Sequence, residues 1–365
     1  MTKDQALVAL KIAHIDTGKD FRGGQDLLLS LARGLKSRGH EQLIVCPPAS
    51  PLAKRASAEG LETAPLPLGP LRREIGRRKF DILHAHDSRA QSLSFLASVG
   101  LDVVRVASRQ VAFTPRHPKA HRLKYARTCH GVIAVSEAVL KVLVGAGVPA
   151  SQIEVIAPGV ELPAQLPSPE MRAKARVRWG FGESEFVIGH AGAFTPEKGQ
   201  DVALDAAAIL ARTLPRARMV LAGDGPMLSA PEMVEKIRRA SLIAQLPGRI
   251  DDFGEFYAGL DLYIMPSRSE AWGLTALRAM AQGIPVVASD VGGLPEMVGH
   301  ERSGWLVPAG SAQALAEAIE NAASDTGRLR EFGRNARDRA ALFTIERTVE
   351  KMEDFYQRML KLEKR

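Results

Sequence analysis

Two doubly wound α/β domains in tandem are predicted from three observations. Short Val/Ile/Leu-rich runs alternate with longer amphipathic ones, the alternation stops at a proline-rich break, and it then begins again. At 365 residues the chain exceeds one ordinary domain, and each half is long enough to bury its own core. Apolar strands separated by helices indicate βαβ units and parallel sheet, because a strand covered by helices on both faces needs no alternation of polar residues.

The first alternation reads "LKIAHID", "EQLIVCP", "FDILHAHD", "DVVRVAS", "GVIAVSE" and "IEVIAPGV", with helix-period segments such as 25–37 and 137–144 between strands. Three prolines in "ELPAQLPSPEMRAK" mark the break. The second alternation reads "FVIGHAGAF", "ARMVLAGDG", "LDLYIMPS", "IPVVASD" and "GWLVPAG", and 311–365 read as helical throughout. The expected organisation is therefore a first domain over 1–162, a linker and lead-in over 163–184, and a second domain over 185–345. A C-terminal helix over 346–365 is free to cross back to the first domain. Two such domains leave a cleft at the carboxyl ends of their strands, where ligands bind in open α/β sheets.

Composition is that of a globular protein, with 45% hydrophobic and 25% charged residues. Only Cys46 and Cys129 are present, which argues against a disulfide framework or a cysteine metal site and fits a reducing compartment. The N-terminal stretch has one short apolar run broken by Lys11, and nowhere do eighteen apolar residues run together. The expectation is a cytoplasmic protein without a membrane span. Charge is uneven: the first 160 residues carry 23 Lys and Arg against 13 Asp and Glu, and the remaining 205 carry 26 against 28. Two basic clusters, "RREIGRRK" (72–79) and "RHPKAHRLKYAR" (116–127), are either solvated faces or contacts for an anionic partner such as a phosphate or an acidic membrane surface. They lack interleaved aromatics, and aromatic residues are 5% of the chain, so no nucleic acid is expected as a partner.

Neither a G-x-G-x-x-G fingerprint nor a G-x-x-x-x-G-K-[ST] loop is present. Gly23 and Gly24 in "DTGKDFRGGQ" precede a helix, either as a tight strand-to-helix turn or as a phosphate-facing helix start. In "GAFTPEKGQ", Lys198 stands at a helix start, which is unfavourable for the helix dipole unless an anion joins it. "MPSRSEAWGLTALRAM" joins a strand end to another helix, where Gly273 lets the backbone approach a ligand. There Glu270 is either a simple N-terminal acid or a carboxylate for sugar hydroxyls and positive charge at an anomeric carbon.

Together these segments resemble the retaining glycosyltransferases of the GT-B fold, family 4 (glycosyl transferases group 1). The likeness extends through "HAHDSRAQSL", "GVIAVSEAVLKVLVGAGVPASQIEVIAPGVE", "LAGDGP", "GIPVVASDVGGLPE" and "SGWLVPAG". It implies two facing Rossmann-like domains, a nucleotide sugar held mainly by the second, and a glycan or glycolipid acceptor held mainly by the first. It implies transfer with retention, without a cofactor or metal. By the same resemblance Lys198 neutralises the donor diphosphate, Gly23 and Gly24 contact it, and Glu270 with Gly273, Leu274 and Thr275 holds the sugar.

Three positions depart from the family. Arg278 stands where a second glutamate usually binds the nucleotide ribose, and an arginine offers only donors. It either donates to ribose or phosphate oxygens, or the nucleoside is held differently. Ala193 replaces a frequent arginine in the loop before Lys198. "VASRQ" has Ser108 and Arg109 where many members carry a histidine. His84 and His86 alternate along one strand, so one faces the ligand or both are packed; His86 is the third catalytic candidate beside Glu270 and Lys198. Arg109 and Arg116 are the acceptor-side candidates. The sequence reading is thus a glycosyltransferase of cell-envelope lipopolysaccharide or polysaccharide synthesis, cytoplasmic or peripheral at the inner face of the plasma membrane. The alternative is a catalytically weak binding or partner subunit marked by Arg278.

Overall fold

The computed structural model describes residues 9–113 and 118–363, with backbone only for 118–121. The chain divides into two compact units, one running up to Gly159 and resuming at Ile345, the other spanning Val160–Thr344.

The first unit is a seven-stranded, fully parallel sheet. Its strands are β1 (Lys11–Ile15), β2 (Glu41–Cys46), β3 (Glu62–Pro65), β4 (Ile82–Ala85), β5 (Val104–Arg109), β6 (Gly131–Ala134) and β7 (Ile153–Val155), in the order β3-β2-β1-β4-β5-β6-β7. Every residue of β4 and β6 is buried, which is why these strands read as continuous apolar runs. The order reverses between β1 and β4, the switch point where open α/β sheets gather their ligands. There His14 pairs in register with His84, and the Asp87 carboxylate ties the two strand ends by accepting from the Thr17 backbone N–H at 2.6 Å and from its hydroxyl at 2.9 Å.

The last helix, Ile345–Glu363, belongs to this first unit. Ile345, Val349, Met352, Tyr356 and Met359 recur at helical spacing and pack with Leu10, Ile12, Ile82 and Val106 in one core. The buried Glu353 adds polar anchoring, accepting from Arg38 Nε at 2.8 Å and from His40 Nε2 at 2.6 Å.

The second unit is a six-stranded parallel sheet. It contains β8 (Phe186–Ala191), β9 (Ala217–Ala222), β10 (Ala244–Gly248), β11 (Leu262–Met265), β12 (Val286–Ser289) and β13 (Gly304–Val307), in the order β10-β9-β8-β11-β12-β13. Its switch point lies between β8 and β11.

Two expectations gain detail. The segment 163–184 is not a bare linker: Ser168 caps a helix, Pro169–Arg178, by accepting from Met171 N. Arg172 and Arg176 of that helix ion-pair with Asp261, whose Oδ2 also accepts from Val187 N at 2.8 Å, so the helix is built into the second unit. The helical stretch after 311 is three helices, Ala312–Ser324, Thr326–Ala340 and Ile345–Glu363, and the last groups with the first unit, the crossing back that the sequence allowed.

The first basic cluster is partly internal structure. Arg78 pairs with Glu62 and Glu74, and Arg72 donates to the carbonyls of Ala97 at 3.1 Å and Val99 at 2.8 Å. In the second, Lys124 donates to Ser88 Oγ at 2.7 Å. Cys46 and Cys129 are buried free thiols. Among the described residues no helix is long and apolar enough to cross a membrane.

Candidate functional site

At the switch point of the second unit, β8 leads through Gly192 and Ala193 into a single turn, Pro196–Lys198, and then into the helix Gln200–Thr213. Gly199 makes the junction at φ 69°, where a Cβ would lie 1.9 Å from the Pro266 carbonyl oxygen. A side chain is excluded there both by conformation and by space. β11 ends beside this turn, and Arg268 ties the two loops together. Its backbone N–H donates to Glu197 O at 2.8 Å, and its guanidinium grips the two Asp201 oxygens at 2.7 and 2.6 Å. Burial pushes the Asp201 carboxyl up, but Arg268 together with the backbone N–H groups of Asp201 and Val202 outweighs it and the net direction is down.

That brace sets Lys198 against Glu270: Nζ donates to Oε2 at 2.7 Å, with the lysine side chain 28% and the carboxylate 11% exposed. The Glu270 carbonyl is anchored by the Gly293 N–H at 3.2 Å, which fixes the backbone from which the carboxylate projects. Gly273, at φ 103°, opens the helix Leu274–Ala281, and among the described residues no side chain caps that helix or the one that follows Gly199. The pair thus stands with two uncapped helix starts, whose first N–H groups carry partial positive charge.

Buried groups hold these loops from beneath. His190 donates from Nδ1 to the Ile264 carbonyl at 3.0 Å, and its Nε2 accepts from Gln200, whose amide also reaches Ala193 O at 2.8 Å. Burial pushes the His190 imidazole down to about 4, with Lys198 adding to the effect, so it is neutral at physiological pH. The Tyr263 hydroxyl accepts from Ala191 N at 3.0 Å and also contacts Thr275. Thr275 in turn offers its carbonyl to the Tyr257 hydroxyl at 2.8 Å. Arg278 lies one turn on from Leu274 and Thr275, on the same helix face, half-buried and within electrostatic reach of Tyr263. The donor-side candidates Lys198, Glu270, Gly273, Leu274, Thr275 and Arg278 therefore share one pair of loops and one helix.

The remaining candidates lie in the first unit. Gly23 begins the helix Gly23–Ser37, and Gly24 is packed so that a Cβ would meet Gln110 Oε1 at 2.6 Å. The loop before them is braced by Asp16, which accepts from Gly18 N at 2.9 Å and Gln25 Nε2 at 3.0 Å. Arg109 departs from its expected role. It is only 3% exposed, donates to the Phe113 carbonyl and contacts Tyr125, so it is a packed cation and not a presented one. Arg116 lies outside the described residues.

His86 is buried with His14 and His84 in a group whose candidate ligand atoms lie within 4.8 Å of one another, the group among the described residues with metal-like spacing. Five of the six ring nitrogens are already hydrogen-bonded: His14 to His86 at 2.9 Å and Gln42 at 2.8 Å, and His84 to Tyr356 at 2.6 Å and Ser108 at 2.7 Å. A metal ion would have to break these bonds. Burial, reinforced by the neighbouring imidazoles, pushes His84 and His86 well below the ordinary histidine value, and burial brings His14 to about 4. The sequence reading missed His14, Gln42 and Arg268. A histidine in "KIAHID" is unremarkable until its strand is set beside "ILHA".

The comparisons fit this geometry. The profile described as Glycosyltransferase Family 4 matches residues 21–163, and that of Glycosyl transferases group 1 matches residues 171–339. A D-inositol 3-phosphate glycosyltransferase of Gordonia bronchialis is 35% identical over 228 residues, 59% of this chain and 49% of the relative. One from Saccharomonospora viridis is 35% identical over 219 residues, 56% of this chain and 49% of the relative. The chain thus spans about half the length of these curated relatives. Among solved structures, HepE of Anabaena in complex with UDP-glucose is 25% identical, with a TM-score of 0.85 over 95% of this chain and 99% of its own. WaaG, a glycosyltransferase involved in lipopolysaccharide biosynthesis, has a TM-score of 0.73 at 18% identity over 94% of this chain and 99% of its own, a likeness of fold. The doubly wound units are those of the GT-B class, each carries one of the two matching profiles, and the chain belongs to glycosyltransferase family 4.

Proposed function

We propose that this protein transfers a sugar from a nucleotide diphosphate sugar to a hydroxyl-bearing glycan or glycolipid acceptor, with retention of anomeric configuration and without a metal ion. The observation that carries the reading is the Lys198–Glu270 pair at the switch point of the second unit, set with two uncapped helix starts. As the sugar–phosphate bond breaks, negative charge grows on the leaving diphosphate, and Lys198 and the helix N–H groups stabilise it. The anomeric carbon becomes cation-like, and Glu270 supplies the compensating carboxylate and accepts sugar hydroxyls. Without ligand the two side chains satisfy each other; a diphosphate competes for the lysine and frees the carboxylate. Lys198 and Arg278 are the cations that would meet a diphosphate here, the task a divalent metal performs elsewhere.

UDP-glucose is the first donor to test, because HepE binds it. The curated relatives act, by name, on an inositol phosphate, and the basic first 160 residues suit a phosphorylated or membrane-borne acceptor of envelope synthesis at the inner face of the plasma membrane. Arg278 in place of a carboxylate favours one second reading, a catalytically weak partner subunit. Slow release of nucleotide from UDP-, GDP-, ADP- and dTDP-sugars without acceptor separates the two readings. Release supports the enzyme, and a protein that neither binds nor turns over any of them overturns it.

A further inference from the structure

The buried histidines of the first unit form two directional chains. Gln42 Nε2 donates to the Glu41 carbonyl at 3.1 Å, which fixes the amide so that Oε1 faces His14. His14 must then donate from Nε2 to Gln42, leaving its Nδ1 as a bare acceptor. His86 must donate from Nε2 into that acceptor, and its own Nδ1 is left as a buried lone pair with no partner among the described residues. The second chain starts at Tyr356, also fully buried. One of the two hydroxyls that flank His84 keeps a spare O–H. Tyr356 is sealed in the core while Ser108 borders a recess, so the spare proton falls to Ser108, with Tyr356 donating to His84 Nδ1 and His84 Nε2 donating to Ser108 Oγ. Ser108 then keeps its own O–H to offer elsewhere.

Both chains end at a residue that borders one recess. His86 and Ser108 line the same recess, together with Gln110 and the apolar side chains Leu31, Ile133 and Met352. One end offers only an acceptor and the other offers a donor, the complement of a hydroxyl group, which donates once and accepts as well. A buried acceptor without a partner carries a desolvation penalty that a ligand hydroxyl relieves. We propose that His86 Nδ1 and Ser108 Oγ form a subsite for one hydroxyl of a sugar or polyol, and that Gln42 and His14 are positioning residues which hold His86 in the accepting tautomer. The identity of the molecule that owns the hydroxyl rests on the glycosyl-transfer reading; the tautomer chain does not. Burial keeps His86 neutral at physiological pH, so the lone pair persists.

Long-range proton–nitrogen correlation on the uniformly 15N-labelled full chain tests both parts. The expected spectrum shows His86 protonated on Nε2 and bare on Nδ1, with Gln42→Leu mixing the tautomers. Titration with myo-inositol, D-glucose and UDP-glucose at millimolar concentration should then move His86 Nδ1 saturably. Ser108→Ala should weaken the effect about tenfold and Ser108→Thr, which keeps the hydroxyl, should restore it. A response to myo-inositol or glucose assigns the hydroxyl to an acceptor-like polyol, and a response to UDP-glucose alone assigns it to the donor sugar. A proton on His86 Nδ1 overturns the proposal. So does a bare Nδ1 that ignores all three probes, since an internal water would then be its partner. Sugar transfer without a His86 response sinks the subsite and leaves the function standing. A His86 response without transfer does the reverse.

Discussion

Lys198 and Glu270, on different loops of the second unit, meet through a single 2.7 Å contact between Nζ and Oε2. The pair is partly exposed, so its own contribution to stability is small. On the proposed reading its value lies in keeping a cation and a carboxylate poised for opposite charges of one transition state. Lys198→Ala and Glu270→Ala should each lower turnover of a nucleotide sugar about a hundredfold, while circular dichroism and melting temperature stay close to those of the parent. Near-full activity in either variant removes that residue from the site.

The brace behind the pair is testable separately. Arg268 holds Asp201 with two nearly equal bonds, 2.7 and 2.6 Å, a fork that lysine cannot reproduce. Arg268→Ala and Arg268→Lys should both reduce turnover, by about tenfold, because the turn that carries Lys198 loses its tie to the β11 loop. Stability should fall by no more than about 1 kcal/mol, since the guanidinium is partly exposed. A fully active Arg268→Lys would show that the fork is dispensable.

Arg278 shares a helix face with Leu274 and Thr275, and calorimetric titration with UDP, GDP, ADP and dTDP decides its role. If it contacts the donor, Arg278→Ala and Arg278→Glu weaken the nucleotide that the parent binds. Binding absent from the parent but gained by Arg278→Glu would mean that this chain has lost the family's donor contact.

Acid should destabilise both units through buried neutral histidines. His14 and His190 have folded values near 4 against an ordinary value of 6.5, so the unfolded chain binds more protons between those limits. Their contribution is complete above about pH 6.5 and is lost as the pH falls towards 4, on the order of 3 kcal/mol for each. Urea unfolding between pH 7 and 4.5 measures the slope, and His190→Gln should flatten it. A slope unchanged by that substitution would place the acid sensitivity elsewhere.

The last helix supplies Val349, Met352, Phe355, Tyr356 and Met359 to the core of the first unit. Removing residues 345–365 should leave that unit aggregated or molten, while the 160–344 segment keeps its own core. Cooperative unfolding of both units in the truncated chain would contradict the packing.

Much of this was legible in one dimension. Parallel strands buried on both faces must be apolar throughout, so β1, β4, β8 and β11 announced themselves, and with them the doubly wound class. Lys198 and Glu270 were legible because a lysine at a helix start and a carboxylate ahead of a glycine are local anomalies. Local rules do not say what lies next to what across the sheet. His14 and His86 are 72 positions apart, and they meet because β1 and β4 are neighbours at the switch point, a pairing set by sheet order. The amphipathic face of the helix Ile345–Glu363 could be read from its spacing and its return to the first domain allowed for, but the residues it covers could not be named, since an apolar stripe specifies burial without naming the surface that covers it. The helix Pro169–Arg178 was hidden among prolines because its attachment is polar, through Asp261. Periodicity along the chain identifies the elements; side-chain direction and strand register, which arise only when distant segments pack, determine which residues form the site.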